Sequence, residues 1–290
     1  MRGAALPDES DHNLEDIKSL IEIDRFDITD QSACAEYIRQ ADPGYVFHLA
    51  GFSSVARSFE NGELAFKVNT IGTYNIYSAV TKLNDLKGLV FPSSSDVYGP
   101  VRPEDLPLQP DRLLNPLSPY AQSKAAAEYL SRIFIDQYKL PIMVVRAFNH
   151  TGPRQDENFA IPAFCKKIVE AEKSGGEKTV KVGNLKAARD ISDVRDIVRG
   201  YRMLAEQGNP ERTYQLCSGR SYRMGDLLNR LISFSDTKIK VETDQSLYRK
   251  VDIPELRGNY HWTSKDVGWK PHFRIEETLR DTLNWWREKQ

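Results

Sequence analysis

Cysteine is scarce in this chain of 290 residues: it has three, Cys34, Cys165 and Cys217, far apart and without Cys-x-x-Cys spacing. An odd, scattered set argues against a disulfide framework and a cysteine metal site, and it suits a reducing cytoplasm. Buried or neutral thiols are expected of all three. Charge of one sign is lacking too. The 40 Lys and Arg balance 41 Asp and Glu, for a formal charge of −1. Phosphate-backbone binding needs a marked basic excess, so nucleic acid is excluded as the main partner. No apolar run approaches the ~18 residues of a membrane-spanning helix, so no membrane partner is expected. The opening MRGAALPDESDHNLED is acidic and has no apolar core. It is unlike a signal peptide and reads as an exposed loop.

What is present is an alternation of short apolar runs and helical stretches. Ile21 to Asp27 alternates like a strand. Asp30 can cap a helix through Ala33–Arg39, and Asp42-Pro43-Gly44 turns the chain. Tyr45 to Ala50 reads as a strand buried on both faces. A helical stretch follows from about Gly62 to Leu83. Leu89-Val90-Phe91 is the next buried strand and ends in Ser93-Ser94-Ser95. After a proline-rich loop, Ser118-Pro119 marks a helix start, with serine as N-cap and proline in the first turn. Pro141 to Arg146 is a further strand, ending in Asn149-His150-Thr151-Gly152-Pro153. Helices are expected over Ile161–Glu172 and Asp193–Gln207, and Ile275, Leu279, Leu283 and Trp286 form a closing helical stripe.

This order predicts an α/β protein built on a doubly wound parallel sheet. The expected division is residues 1–155, on the resemblance given below an incomplete dinucleotide-binding domain, and 156–290, on the same resemblance mainly a sugar-nucleotide-binding region, interleaved with the first or not. In such sheets ligands bind beyond the carboxyl ends of the strands. Here those ends carry Ala50-Gly51, the serine cluster and Asn149-His150.

Tyr120 and Lys124 lie four apart at a helix start, and so on one face. A free tyrosine, with a pKa of about 10, is a poor acid or base at neutral pH. An adjacent ammonium and the positive helix end both favour the phenolate. Lowering the pKa by ~3 units needs roughly 4 kcal/mol. A serine hydroxyl across the crevice could hold a substrate oxygen against the tyrosine. Taken alone, the spacing fits an ordinary surface pair as well. The combination with the serine-ended strand is more specific.

Ser93-Ser94-Ser95-Asp96-Val97-Tyr98-Gly99, Ser118-Pro119-Tyr120-Ala121-Gln122-Ser123-Lys124 and Arg146-Ala147-Phe148-Asn149-His150-Thr151-Gly152-Pro153 carry a resemblance. They resemble the extended short-chain dehydrogenase/reductases (the NAD-dependent epimerase/dehydratase family) that act on nucleotide sugars. Within it the chain is most similar to GDP-4-keto-6-deoxy-mannose reductases, through Cys217-Ser218-Gly219-Arg220 and Arg249-Lys250-Val251-Asp252-Ile253-Pro254 among others. The resemblance implies a Rossmann-like fold, NADP or NAD as cofactor, a GDP-sugar substrate and a homodimer. The dimer would pack through the stretches 62–83 and 119–137, with Leu64, Phe66, Ile71, Ile76, Ala125, Ala126, Leu130 and Phe134.

The resemblance also assigns roles. Tyr120 is the proton donor, Lys124 its charge partner and ribose ligand, and Ser94 the holder of the C4 oxygen, with Ser95 beside it. Asp27 and Ile28 contact adenine, Arg2 stands near the adenine ribose, Leu49, Ala50 and Gly51 line the cofactor, and Asn69 braces the site. Arg189 and Arg249 grip the diphosphate, Asp252 binds the nucleotide ribose, and Asn149 touches the sugar nucleotide. No metal is implied. The family's opening strand, glycine-rich turn and helix have no counterpart in this sequence, which implies that the first strand–turn–helix is missing. The implied reaction is reduction of a C4 ketone to a GDP-deoxyhexose such as GDP-rhamnose. A 4,6-dehydratase is the rival, with Asp96 as its acid/base where dehydratases place glutamate. An epimerase and a truncated inactive relative are the other readings.

Overall fold

The structure, a computed structural model, describes residues 1–174, 178–248 and 253–289. The chain divides into two units that alternate along the sequence. One holds residues 1–98, 113–146 and 201–214; the other holds 99–112, 147–200 and 215–290.

The first unit opens with strands β1 (Arg2–Ala5) and β2 (Glu22–Arg25), paired in parallel with Arg2 opposite Glu22. The opening was expected to be a loop, and its first residues are instead a strand. Side-chain ties hold it there. Arg2 reaches Asp24 at 3.0 Å, and Arg25 donates to the carbonyl oxygens of Leu6 and Glu9. Helix α1 (Gln31–Ala41) starts as the sequence predicts, with the Asp30 carboxylate accepting from the N–H groups of Ser32 and Ala33. Strand β3 (Tyr45–Phe47) follows, then α2 (Val55–Ser58), α3 (Gly62–Phe66), a π-helical turn over 67–72, and α4 (Thr73–Val80). The stretch read as helical from Gly62 is continuous as far as Val80, with a wider turn in its middle that carries Asn69.

Strand β4 (Gly88–Ser94), α5 (Pro119–Tyr138) and β5 (Ile142–Ala147) continue the unit. Strands β3 and β4 pair in parallel, Tyr45 opposite Gly88 and Phe47 opposite Val90. At Gly88 a Cβ would stand 2.2 Å from the Ala205 carbonyl oxygen, so only glycine lets the chain pass there. The core joins Ile38, Tyr77, Val80, Phe91, Phe134 and Ile142. One expectation fails at β3. Tyr45, Phe47 and Leu49 are 41%, 42% and 65% exposed. Among the described residues β3 pairs only with β4, and β1 only with β2, so neither is covered as an inner strand would be.

The second unit contains β6 (Asn149–Thr151), α6 (Ala160–Ser174), β7 (Lys178–Val182), β8 (Ala188–Asp193) and the first half of α7 (Val194–Gln207). Strand β9 (Thr213–Leu216) completes the four-stranded sheet β3-β4-β5-β9. Then come β10 (Ser221–Arg223), α8 (Met224–Ile232), β11 (Ile239–Thr243), β12 (Glu255–Leu256), α9 (His261–Val267) and α10 (Ile275–Lys289). The closing stripe is core, as expected: Leu279, Leu283 and Trp286 pack with Ile168, Leu228 and Leu231. All three cysteines are free and buried.

Candidate active site

In the first unit the end of β4 meets the start of α5. Ser118 caps the helix by accepting the Ala121 N–H, and Pro119 fills the first position. That start fixes Tyr120 in the first turn and Lys124 one turn further, both buried. The Ser94 hydroxyl donates to the Asp96 carboxylate at 3.3 Å and accepts the Asp96 N–H at 3.1 Å. It also acts on the Tyr120 phenol, favouring its ionised form. Burial pushes the Tyr120 phenol well above its ordinary pKa; the Asp96 carboxylate adds to this and the Ser94 hydroxyl opposes it. The expected net pull toward phenolate is not what the site shows: burial is the largest influence on the phenol and acts the other way. Tyr120 is a neutral hydroxyl, the form that can give a proton away. Ser95, expected beside Ser94, is 3% exposed and opens the turn Ser95–Tyr98.

Lys124 donates to the Pro92 carbonyl oxygen at 2.9 Å. Burial pulls its pKa down to about 8, and Glu128 opposes the fall. Asn69, expected to brace the site, is itself held at three points. Its amide oxygen accepts from the Phe52 N–H at 2.8 Å, and its amide nitrogen donates to the Phe52 carbonyl at 3.0 Å and the Ser123 hydroxyl at 2.9 Å. The π-helical turn, a feature that recurs at functional sites, turns this side chain inward.

A cavity of about 560 Å³ in the same unit is lined by Asp27, Ile28, Leu49, Ala50 and Gly51. These are the residues expected to contact adenine and line the cofactor. Phe52, Ser54 and Arg57 share the wall and were not picked out from the sequence. Gly51 links the cavity to the catalytic pair: a Cβ there would lie 3.5 Å from Lys124 Nζ and 3.0 Å from Asn69 Oδ1. This close backbone passage and the volume fit the ends of a nicotinamide dinucleotide. Arg57 is the cation on the wall. Arg2 is turned to Asp24 instead.

The second unit has its own cavity of about 330 Å³, lined by Asn149, His150, Asn158, Lys167, Asn184 and Arg189 among others. Arg189 donates to the carbonyl oxygens of Ala188 at 2.8 Å and Ile253 at 2.6 Å. Next to it the buried Asp190 accepts the N–H groups of Ser218, Gly219 and Gly258 at 2.7, 2.9 and 3.1 Å. Asn149 and Arg189, both expected to touch the sugar nucleotide, thus line one pocket. Arg249 and Asp252 lie outside the described residues. His150 and Lys167 line that pocket without having been singled out. No cluster of metal-ligating side chains occurs among the described residues.

A parallel-stranded α/β unit with a buried tyrosine–lysine pair beside a serine-ended strand defines the epimerase/dehydratase type of oxidoreductase. The chain belongs to the GDP-mannose 4,6 dehydratase family, which it matches over residues 7–282. It is 29% identical over 247 residues to the GDP-6-deoxy-D-mannose reductase of Pseudomonas aeruginosa, covering 85% of this chain and 81% of the relative. It is 27% identical over 277 residues to GDP-mannose 4,6 dehydratase 1 of Arabidopsis thaliana, covering 93% and 74%. Its structure superposes on that of RMD from Pseudomonas aeruginosa complexed with NADPH, with a TM-score of 0.88 at 26% identity, covering 100% of this chain and 99% of that one. The family and fold class expected from the motifs are thereby established.

Proposed function

We propose that this chain reduces the C4 ketone of a GDP-4-keto-6-deoxyhexose to the alcohol, forming a GDP-deoxyhexose such as GDP-rhamnose, with NADPH or NADH as reductant. The observation that carries this reading is Tyr120: buried, neutral, close enough to Ser94 to feel its hydroxyl, and one helical turn from Lys124. The likeness to a GDP-6-deoxy-D-mannose reductase supports the substrate class.

When bound, a reduced nicotinamide supplies the hydride taken up by the C4 carbon. Asp27, Ile28, Ala50 and Gly51 hold the adenosine side, and Lys124 the nicotinamide ribose. With substrate present the Ser94 hydroxyl turns its proton from the Asp96 carboxylate to the C4 oxygen while still accepting the Asp96 N–H, and Tyr120 transfers its phenolic proton to that oxygen as negative charge develops there. The Lys124 ammonium offsets the charge left on the phenolate. Arg189 and Asn149 take the nucleotide end of the substrate, a guanidinium fork being suited to a diphosphate. Asp96 is tied to Ser94 through both its carboxylate and its N–H, which favours a structural part over a dehydratase acid/base.

Exposed Leu64, Phe66, Ile71, Tyr74, Tyr129 and Ile133 on α3, α4, α5 and the turn at 67–72 support a homodimer. Ile76, Ala125 and Phe134, expected to share in that surface, are buried in the monomer. Free thiols support a cytoplasmic setting. No helix among the described residues is long and apolar enough to cross a membrane.

The test is nicotinamide oxidation with a 4-keto-6-deoxy GDP-sugar. Consumption matching the ketone supplied is the expected result. Conversion of GDP-mannose to the ketone without net consumption would make the chain a dehydratase.

A further inference from the structure

Behind the catalytic pair lies a buried ion pair that the reaction does not itself call for. Tyr120, Lys124 and Glu128 follow one another at four-residue steps along one face of α5. Glu128 is 8% exposed and Arg146, from β5, is 6% exposed. Arg146 donates to Glu128 through Nε at 2.9 Å and Nη2 at 2.7 Å, a forked pair. Its remaining arm donates to the Tyr98 hydroxyl at 3.0 Å. The Ser93 hydroxyl, next to Ser94, also donates to Glu128. Such a pair is a poor way to gain stability, because an apolar replacement is often as stable. Its position suggests another use.

Lys124 is 8% exposed, and its ammonium has the Pro92 carbonyl at 2.9 Å and the Phe91 ring centroid at 5.2 Å. A carbonyl and a ring compensate poorly for a desolvated ammonium. Of the other titratable groups around it, Asp96 is the one that carries negative charge, and Glu128 is the one that lies on the same face of the helix as the lysine. Tyr120 on α5 is neutral. His48, after β3, is neutral as well. Asp96, in the turn after β4, acts on Tyr120. Arg146 is positive and taken up by Glu128.

We infer that Glu128, fixed in its ionised form by Arg146, is the counter-charge that lets Lys124 remain an ammonium inside the buried site, making Glu128 a positioning residue for the reaction. The inference rests on the reading of Lys124 as the charge partner of Tyr120. Glu128 does not touch the reacting atoms. It acts through the lysine, one helical turn away.

The experiment follows lysine carbon-13 resonances of the ligand-free chain with pH, Lys124→Met identifying the one in question. In Glu128→Gln the Lys124 proton should be lost at a pH about one unit lower, a tenfold fall in proton affinity. That variant leaves Arg146 buried without its partner and can fail to fold. Glu128→Gln/Arg146→Met removes both charges together and should shift Lys124 in the same direction. Ser93→Ala breaks a contact to Glu128 yet keeps both charges, and should leave the titration where it is. An unchanged Lys124 titration in the folded double variant overturns the inference, as does a shift of equal size in Ser93→Ala. The readout needs no turnover. A chain that never oxidises NADPH against a ketosugar would defeat the proposed function and leave this result standing, and the reverse also holds.

Discussion

Gly51 passes so close to Asn69 that a Cβ on it would stand 3.0 Å from the amide oxygen. Asn69 cannot give way, because hydrogen bonds to Phe52 and Ser123 fix it on both sides. Gly51→Ala should therefore destabilise the protein by about 1–3 kcal/mol, the usual cost of overpacking. It should weaken NADPH binding as well, since Gly51 lines the cavity. Denaturant unfolding and a fluorescence titration check both. An unfolding midpoint equal to wild type would show that the neighbourhood has slack.

The two members of the catalytic pair titrate in different ranges. Tyr120 is pushed upward by burial and remains neutral through the working range. Lys124 is pulled down to about 8. Turnover should thus be level below this value and fall as pH rises through it, when the ammonium is lost. A pH profile of kcat with saturating substrate checks this. A rate still rising above pH 9 would indicate that Lys124 is not needed as a cation.

His48 makes the fold sensitive to acid. Its Nε2 lies 2.9 Å from the Thr73 hydroxyl, which itself donates to the Asn69 carbonyl at 2.6 Å. The imidazole must therefore donate from Nε2. Burial, aided by Lys124, lowers its pKa to about 3. As pH falls below the ordinary histidine value, the unfolded chain takes up a proton that the folded one refuses. Stability is present above about pH 6.5 and is lost toward acid, by at most about 1.4 kcal/mol per pH unit. His48→Gln should lose less between pH 7 and 5 than wild type, by up to about 2 kcal/mol. Urea unfolding at the two pH values decides, and parallel losses would remove His48 as a cause.

Arg189 tests the second unit separately. Arg189→Ala should weaken GDP-sugar binding by roughly 1.5–3 kcal/mol, the range for hydrogen bonds to charged groups, and leave NADPH affinity near normal. Calorimetry with GDP measures it. Unchanged GDP binding would put the diphosphate elsewhere.

What was legible in the sequence was local. Ser118-Pro119 marked the start of α5, and the four-residue spacing put Tyr120 and Lys124 on one face. The strand ends at Asp27-Ile28 and Leu49-Ala50-Gly51 converge on one cavity. What could not be read depends on partners distant in sequence. Strand β1 has no alternating pattern and owes its place to ties such as Arg2 to Asp24. The exposure of Phe47 follows from which strand lies beside β3, and its own apolar run does not encode that. Glu128 extends the Tyr120–Lys124 spacing by one more turn, a signal that could have been used. Its meaning emerges only with Arg146 beside it. The Tyr120 pKa was misjudged for the same reason, since charge proximity is visible in the spacing and depth of burial is not.

The central claim is that Tyr120 delivers the proton to a C4 alkoxide. Its most direct test is single-turnover reduction of a GDP-4-keto-6-deoxyhexose by wild type and Tyr120→Phe, with deuterated NADPH raised until the rate saturates. Deuterium is expected at C4 of the GDP-deoxyhexose formed by wild type. A rate ~10²–10⁴-fold lower is expected in Tyr120→Phe, with GDP-sugar affinity little changed. A Tyr120→Phe rate above about a tenth of wild type, or deuterium absent from C4, would contradict the claim.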